Sequence, residues 1–281
     1  MCIDRVRLRR AQGVSMVAAI AAALTVQAPA RAQSPALPPP ARPPKADVET
    51  ARPAAAATLP SARSIIDRHI KAIGGREAIL SHSSTHATGT LSIPSAGMAG
   101  TIEIAAAKPN RSVLKITLAG VGDVQEGFDG TTAWTLSPMS GPMVLEGKQL
   151  DEKRFDADFY AELHDDRRYE SMTTIEQAMF EGRRCYTLRL VRKGGGEDIE
   201  YYDVETGLKA GSVTTRETPM GTVTGTTVET GYRKFGNVLQ PSTIRQTVMG
   251  LQQVITVSTI EYDTVPDSAF DLPAPIKALV K

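Results

Sequence analysis

The sequence predicts a mainly β domain of the α+β class, with about ten or eleven antiparallel strands and a few helices. Two observations predict it. From residue 85 onward apolar side chains recur at every second position, and turn signals interrupt them roughly every 10–14 residues. Strands joined by turns that short must pair antiparallel, because a parallel crossover needs a dozen residues or more.

Ahead of the domain stand two segments of different character. Arg5, Arg7, Arg9 and Arg10 precede an apolar run from Val14 to Val26, and Ala30-Arg31-Ala32 follows as an A-x-A pattern. This is the layout of a Sec-type signal peptide over residues 1–32, cleaved near Ala32. The apolar run is shorter than the ~20 residues a membrane-spanning helix needs, so no stable span is expected after cleavage. Cys2 precedes the apolar run and cannot be an acylated lipoprotein cysteine. Export to the periplasm or the exterior is therefore expected. Residues 33–60 carry eight of the chain's 18 prolines among alanines and no apolar period. Such a segment is expected to be a disordered, semi-rigid spacer. The β domain then occupies residues 61–281.

A helix opens the domain. Ser61 or Ser64 can cap it, Ile66, Ile70 and Ile73 share one face, and Gly74-Gly75 ends it before one more turn at Arg76–Leu80. The strands come next: Leu91 and Ile93, then Ile102 and Ile104, then Leu114, Ile116 and Leu118 alternate with polar neighbours. Pro109-Asn110 separates the last two runs. Asp129-Gly130 is a hairpin signal, with Thr132, Trp134 and Leu136 on one face after it. Between Gly147 and Leu163 the period changes, and Leu150, Phe155, Phe159 and Leu163 read as an inserted helix. Leu188 and Leu190 resume the strand pattern. Gly194–Gly196, Thr206-Gly207, Gly236-Asn237 and Gly250 punctuate the remaining strands, one of which is expected over 238–248. The prolines after Asp263, with Phe270 and Leu272 between them, read as an irregular strap covering a sheet edge.

Composition excludes several functions. Without residues 1–32 the net charge is near −3, which fits neither nucleic acid nor an anionic membrane surface. Cys185 is then the lone cysteine, so no internal disulfide supports the fold. Arg183 and Arg184 could activate that thiol, but its place beside a strand favours a structural role. No G-x-S-x-G, H-E-x-x-H or P-loop is present. His82 and His86 have the i, i+4 spacing of metal ligands, yet Ser83-Ser84-Thr85 between them reads as a helix running into a strand. Asp165-Asp166 lies against Arg167-Arg168, as a solvated helix end, and Glu197-Asp198 reads as a polar hairpin tip. No catalytic residue, metal or cofactor is expected.

Four stretches resemble one family, the outer-membrane lipoprotein-sorting (LolA/LolB-like) superfamily. They are the helix from Ile65 to Gly75, the turn from Tyr202 to Leu208, the run from Tyr232 to Pro241, and the ending from Val265 to Pro273. The resemblance implies an open half-barrel wrapped over helices, with a concave apolar face that holds acyl chains. The alternating residues Leu91, Ile93, Ile102, Ile104, Leu114, Ile116 and Leu118 are the candidates to line that face. Trp134, Leu136, Leu188 and Leu190 join them. The expected role is a monomeric, non-enzymatic carrier of a lipid or lipidated protein in the cell envelope. The alternative is the same fold with a filled core, reading an envelope protein as an interaction or sensor module.

Overall fold

The computed structural model describes residues 59–218 and 221–280. The expected signal peptide and all but the end of the spacer lie outside the described residues. Helices α1 (Ala62–Ala72) and α2 (Arg76–Leu80) come first. Six strands succeed them: β1 (Ser84–Ile93), β2 (Met98–Ala107), β3 (Arg111–Leu118), β4 (Gly122–Phe128), β5 (Ala133–Ser137) and β6 (Gly141–Leu145). Helix α3 (Lys148–Asp156) and two 3-10 turns lead to β7 (Tyr169–Phe180), β8 (Arg183–Arg192), β9 (Glu197–Asp203), β10 (Lys209–Thr218) and β11 (Gly221–Thr230). The chain ends with β12 (Arg233–Phe235), β13 (Val238–Gln240), β14 (Thr243–Val248), β15 (Leu251–Tyr262) and a short helix α4 (Ala274–Lys277).

Thirteen strands form one antiparallel sheet in the order β6-β5-β4-β3-β2-β1-β15-β14-β11-β10-β9-β8-β7, and β12 pairs with β13 alone. The sheet is open and lies over few helices, as the half-barrel expectation required. The extra strands have physical reasons. β7 carries two register shifts, after Tyr169 and after Thr174, which scramble its period of two. β6 is a short edge strand and β12 spans only Arg233–Phe235. Pro241-Ser242 cuts the single strand expected over 238–248 into β13 and β14.

The first strand and the last meet in the middle of the sheet, where Thr85 pairs with Tyr262 and Leu91 with Ile255. Two wings extend from this seam. One runs out to β6 and the other to β7. The segment between those strands must therefore pass from one edge of the sheet to the other. It does so on the concave side, where Ala157 packs with Phe128, Ala133 and Leu145.

Each wing buries its apolar residues differently. On the first, Leu91, Ile102, Leu114, Ile116, Leu118 and Ile255 pack on one another, with Met98 and Val257 against them. Strand side chains fill that end of the hollow. On the second, Leu188, Leu190 and Tyr202 are covered by α1, whose Ile65, Ile66 and Ile70 face them. Ser61 caps this helix, its Oγ accepting from the Ser64 amide.

Trp134 lies elsewhere. Its neighbour Ala133 faces the crossover, so Trp134 and Leu136 project from the opposite, convex face. The cross-strand partner of Trp134 is Gly127, where a Cβ would sit 2.6 Å from the indole ring. Glycine is required there for the ring to lie flat on the sheet. The tail meets β3 and β6, the strands on either side of β4 and β5, with Ile276 fully buried and Arg111 stacked 4.7 Å over Phe270. This is the expected edge strap.

Ile66, fully buried at the α1–sheet contact, tests this packing. Ile66→Ala should lower unfolding free energy by about 2–5 kcal/mol in chemical denaturation. Ile175→Ser, at an exposed position of β7, should change it by less than about 0.5 kcal/mol.

Candidate functional site

Two hollows lie side by side under the crossover. The first is a cleft of about 290 Å³. Its walls are Ile73 and Ile79 from α1–α2, Ile104, Ala106 and Leu114 from β2–β3, and Val238 from β13. Its roof is the segment from Lys153 to Phe159, and His82, Gln240 and Tyr262 border it. Its lining is both aliphatic and polar.

The second hollow, of about 200 Å³, is lined mainly by charged groups: Glu162, His164, Arg168, Arg192, Asp198, Glu200 and Lys209. Asp156 and Glu162 line both hollows. Here β8 to β10 aim charges inward, each with a partner. Arg192 holds Asp198 in a two-pronged pair at 2.6 and 2.7 Å. Glu200 accepts from Lys209 Nζ at 2.9 Å and Tyr202 Oη at 2.6 Å, and His164 Nε2 lies 2.9 Å away. His164 Nδ1 faces the Glu162 carbonyl at 3.0 Å. Both ring nitrogens of His164 thus face oxygens, an arrangement that suits the imidazolium. His69 Nε2 lies 3.3 Å from the Glu162 carboxylate, and Tyr232 Oη donates to Glu229 at 2.7 Å.

Burial and charge oppose each other throughout this network. Desolvation pushes the Glu162 carboxyl up, but the His69 contact and the Lys209 charge overcome it and hold it at about 2. Desolvation likewise works against ionised Glu200, and Lys209 and His164 together bring its pKa well below the usual value. For His164 desolvation is outweighed by Glu200, and its pKa rises. Burial raises the Asp156 carboxyl, with Arg192 and Lys153 only partly offsetting it.

The roof is held by apolar and polar contacts together, Ala157 packing with Phe128, Ala133 and Leu145, and Phe155 and Tyr160 against the α1 core. Lys153 reaches down to Glu126 of β4 at 2.6 Å. Phe155 is sandwiched between the guanidinium groups of Arg168 and Arg192, at 4.1 and 4.4 Å from its ring centre. Arg168 also pairs with Asp158 at 3.3 Å. Tyr160 Oη donates to the His82 carbonyl, and the Phe159 amide to the Pro109 carbonyl. His82 ties the far rim together: Nδ1 lies 2.8 Å from Asp263, Nε2 lies 2.6 Å from Asn237 at the β12–β13 turn, and the ring stacks on Tyr262.

Of the residues expected to line an apolar face, Ile104 and Leu114 border the cleft. Leu91, Ile93, Ile102, Ile116 and Leu118 are buried in the filled end of the first wing. Leu188 and Leu190 are covered by α1, and Trp134 and Leu136 are on the other face. His82 and His86 do not converge, because His86 sits in β1 beside Glu103 at 3.2 Å. No group of metal-ligating side chains occurs among the described residues. Cys185 is fully buried with its thiol pKa raised by desolvation, as a structural cysteine. Asp165, expected at a solvated helix end, caps the following 3-10 turn and pairs with Arg167. Asp198 is not the hairpin tip that Glu197-Asp198 suggested, since it is buried against Arg192. Apolar alternation did not reveal the charged wing, although Asp198, Glu200 and Tyr202 alternate as regularly as Leu188 and Leu190 do. Period-two spacing of acidic residues was its available signal.

No family model matches the chain, and no curated protein matches it. Solved structures do. A LolA superfamily protein from Nitrosomonas europaea superposes with a TM-score of 0.51 at 14% identity, over 76% of this chain and 99% of that one. A DUF1329 family protein from Desulfovibrio piger gives 0.52 at 13% identity, over 75% and 97%. The chain therefore has a LolA-like fold. Among the described residues no helix is long and apolar enough to cross a membrane.

The charge network makes stability depend on pH from both sides. Glu162 and Glu200 contribute fully above their ordinary value of 4.5; the Glu162 contribution is lost as pH falls to about 2, and that of Glu200 as pH falls through its lowered pKa. His164 contributes fully below 6.5, and that contribution is lost as pH rises through its raised pKa. Urea midpoints should peak between about pH 4.5 and 6.5, and His164→Gln should remove the decline on the alkaline side.

Proposed function

We propose that this LolA-like chain is an exported, non-enzymatic binder that carries an apolar ligand, a lipid or the acyl part of a lipidated protein, in the cell envelope. One observation carries this reading. A cleft of about 290 Å³ with aliphatic walls remains between helices and sheet, under the crossover segment. Its size is near the lower end of the ~300–1,000 Å³ range of small-molecule sites. It suits one apolar chain rather than several. Enclosing about ten methylenes would contribute roughly 8 kcal/mol, a micromolar affinity before ordering costs. That strength allows a ligand to be handed on. The paired charges of the second hollow favour binding over chemistry, because each is satisfied by a neighbour rather than poised on a free nucleophile.

The filled end of the first wing supports a second reading, an interaction or sensor module of the same fold without a lipid. Binding separates the two. The neutral apolar dye N-phenyl-1-naphthylamine should bind the delipidated protein with enhanced emission. Lipid should also be seen on the untreated protein in native mass spectra. Ala106→Phe, which puts a ring into the cleft, should weaken dye binding by about tenfold with little change in Tm. Trp134 emission should stay constant, since its indole lies on the other face. Absence of dye binding and of lipid would leave the interaction module as the function.

A further inference from the structure

One acidic group bordering the two hollows has no ion-pair partner. Asp156 is the last residue of α3 and borders both of them. Every other acidic group lining them has a basic partner: Glu162 has His69, Asp158 has Arg168, Asp198 has Arg192 and Glu200 has Lys209. Arg154 and Lys153, the basic groups nearest in the chain, are spent on Asp151 and Glu126. Among the described residues Asp156 has neither a hydrogen bond nor an ion pair, and it lines the cleft. The C-terminal end of α3 adds the negative pole of a nine-residue helix at the same point. Glu152, one turn earlier, adds another carboxylate nearby.

We infer that the ligand of the cleft is a cationic amphiphile, whose alkyl chain lies against Ile104 and Leu114 while an ammonium-type head pairs with Asp156. This rests on the proposed binding function and names its ligand class. The lining suits such a ligand because the aliphatic side chains and the Asp156 carboxyl border the same cleft. An anionic head meets the opposite situation. The basic groups around the hollows are already matched by carboxylates at 2.6–3.3 Å, so an anion would have to displace one and would also meet the Asp156 carboxyl. A neutral head leaves Asp156 without a partner.

The test is a matched series of n-decylammonium, n-decanol and n-decanoate, each displacing N-phenyl-1-naphthylamine from the full chain at neutral pH and low salt. The ammonium should bind about tenfold more tightly than the alcohol, and the carboxylate more weakly than either. Asp156→Asn should bring the ammonium to within about twofold of the alcohol, while leaving the alcohol unchanged. Equal binding of ammonium and alcohol to the parent chain overturns the inference and leaves an apolar binder standing. Preference for decanoate overturns it in favour of an anion-reading site at Arg168 or Lys209. If none of the three displaces the dye, or the dye itself does not bind, the cleft reading has failed, not merely its ligand class. Circular dichroism of Asp156→Asn checks that the variant is folded.

Discussion

The sheet does not close, and the architecture follows from that. A half-barrel with β6 at one edge and β7 at the other leaves the chain no short way between them. The connection has to span the concave side, and it takes the polar helix α3 and two 3-10 turns to do so. A segment stretched over a hollow cannot bury much of itself. Helix α3 has no buried residue, and it is held by the Lys153–Glu126 pair, by the Phe155 ring beside two guanidinium groups, and by partly buried Leu150 and Phe155 packed on the core. The cleft exists because the roof bridges the wings without filling the space between them.

The two wings solve burial by different chemistry. Alternation in β1 to β3 delivers aliphatic side chains to the concave face, and they pack to near-complete exclusion of solvent. In β8 to β10 the same alternation delivers Asp198, Glu200 and Lys209, and the desolvation of each is offset only by neighbours placed at hydrogen-bond distance. Removing one member leaves a buried charge unmatched, whereas a truncated leucine leaves a void. The cleft lies where these regimes meet, which gives it a lining both greasy and charged.

How much of this could be read from the chain divides along the same line. The Ser61 cap, the Gly74-Gly75 stop, the Asp129-Gly130 turn and the tail strap were legible because each is set by neighbours in sequence. The open antiparallel sheet followed from alternation and short turns. The identity of the inner face was not legible. Period two says that Leu114 and Trp134 each share a face with their own alternates, but not that these faces are opposite, since the register between β3, β4 and β5 decides it. The charged interior was missed because acidic residues near a Gly-rich turn read as solvent-facing until a crossover is placed above them. β7 was missed because two bulges erase the pattern by which strands are recognised. Asp156 had no signal of its own; only the juxtaposition of two hollows gives it meaning.

The central seam has a consequence for how the molecule is made. Thr85 and Tyr262 are neighbours in the sheet and lie at nearly opposite ends of the domain's sequence. Loop closure across such a separation is entropically slow, and the two wings have no common frame until it occurs. A nascent chain emerging from its N-terminus therefore presents β1 with one side unsatisfied until the last strand arrives. Such a chain acquires its final shape only once β15 has taken its place beside β1.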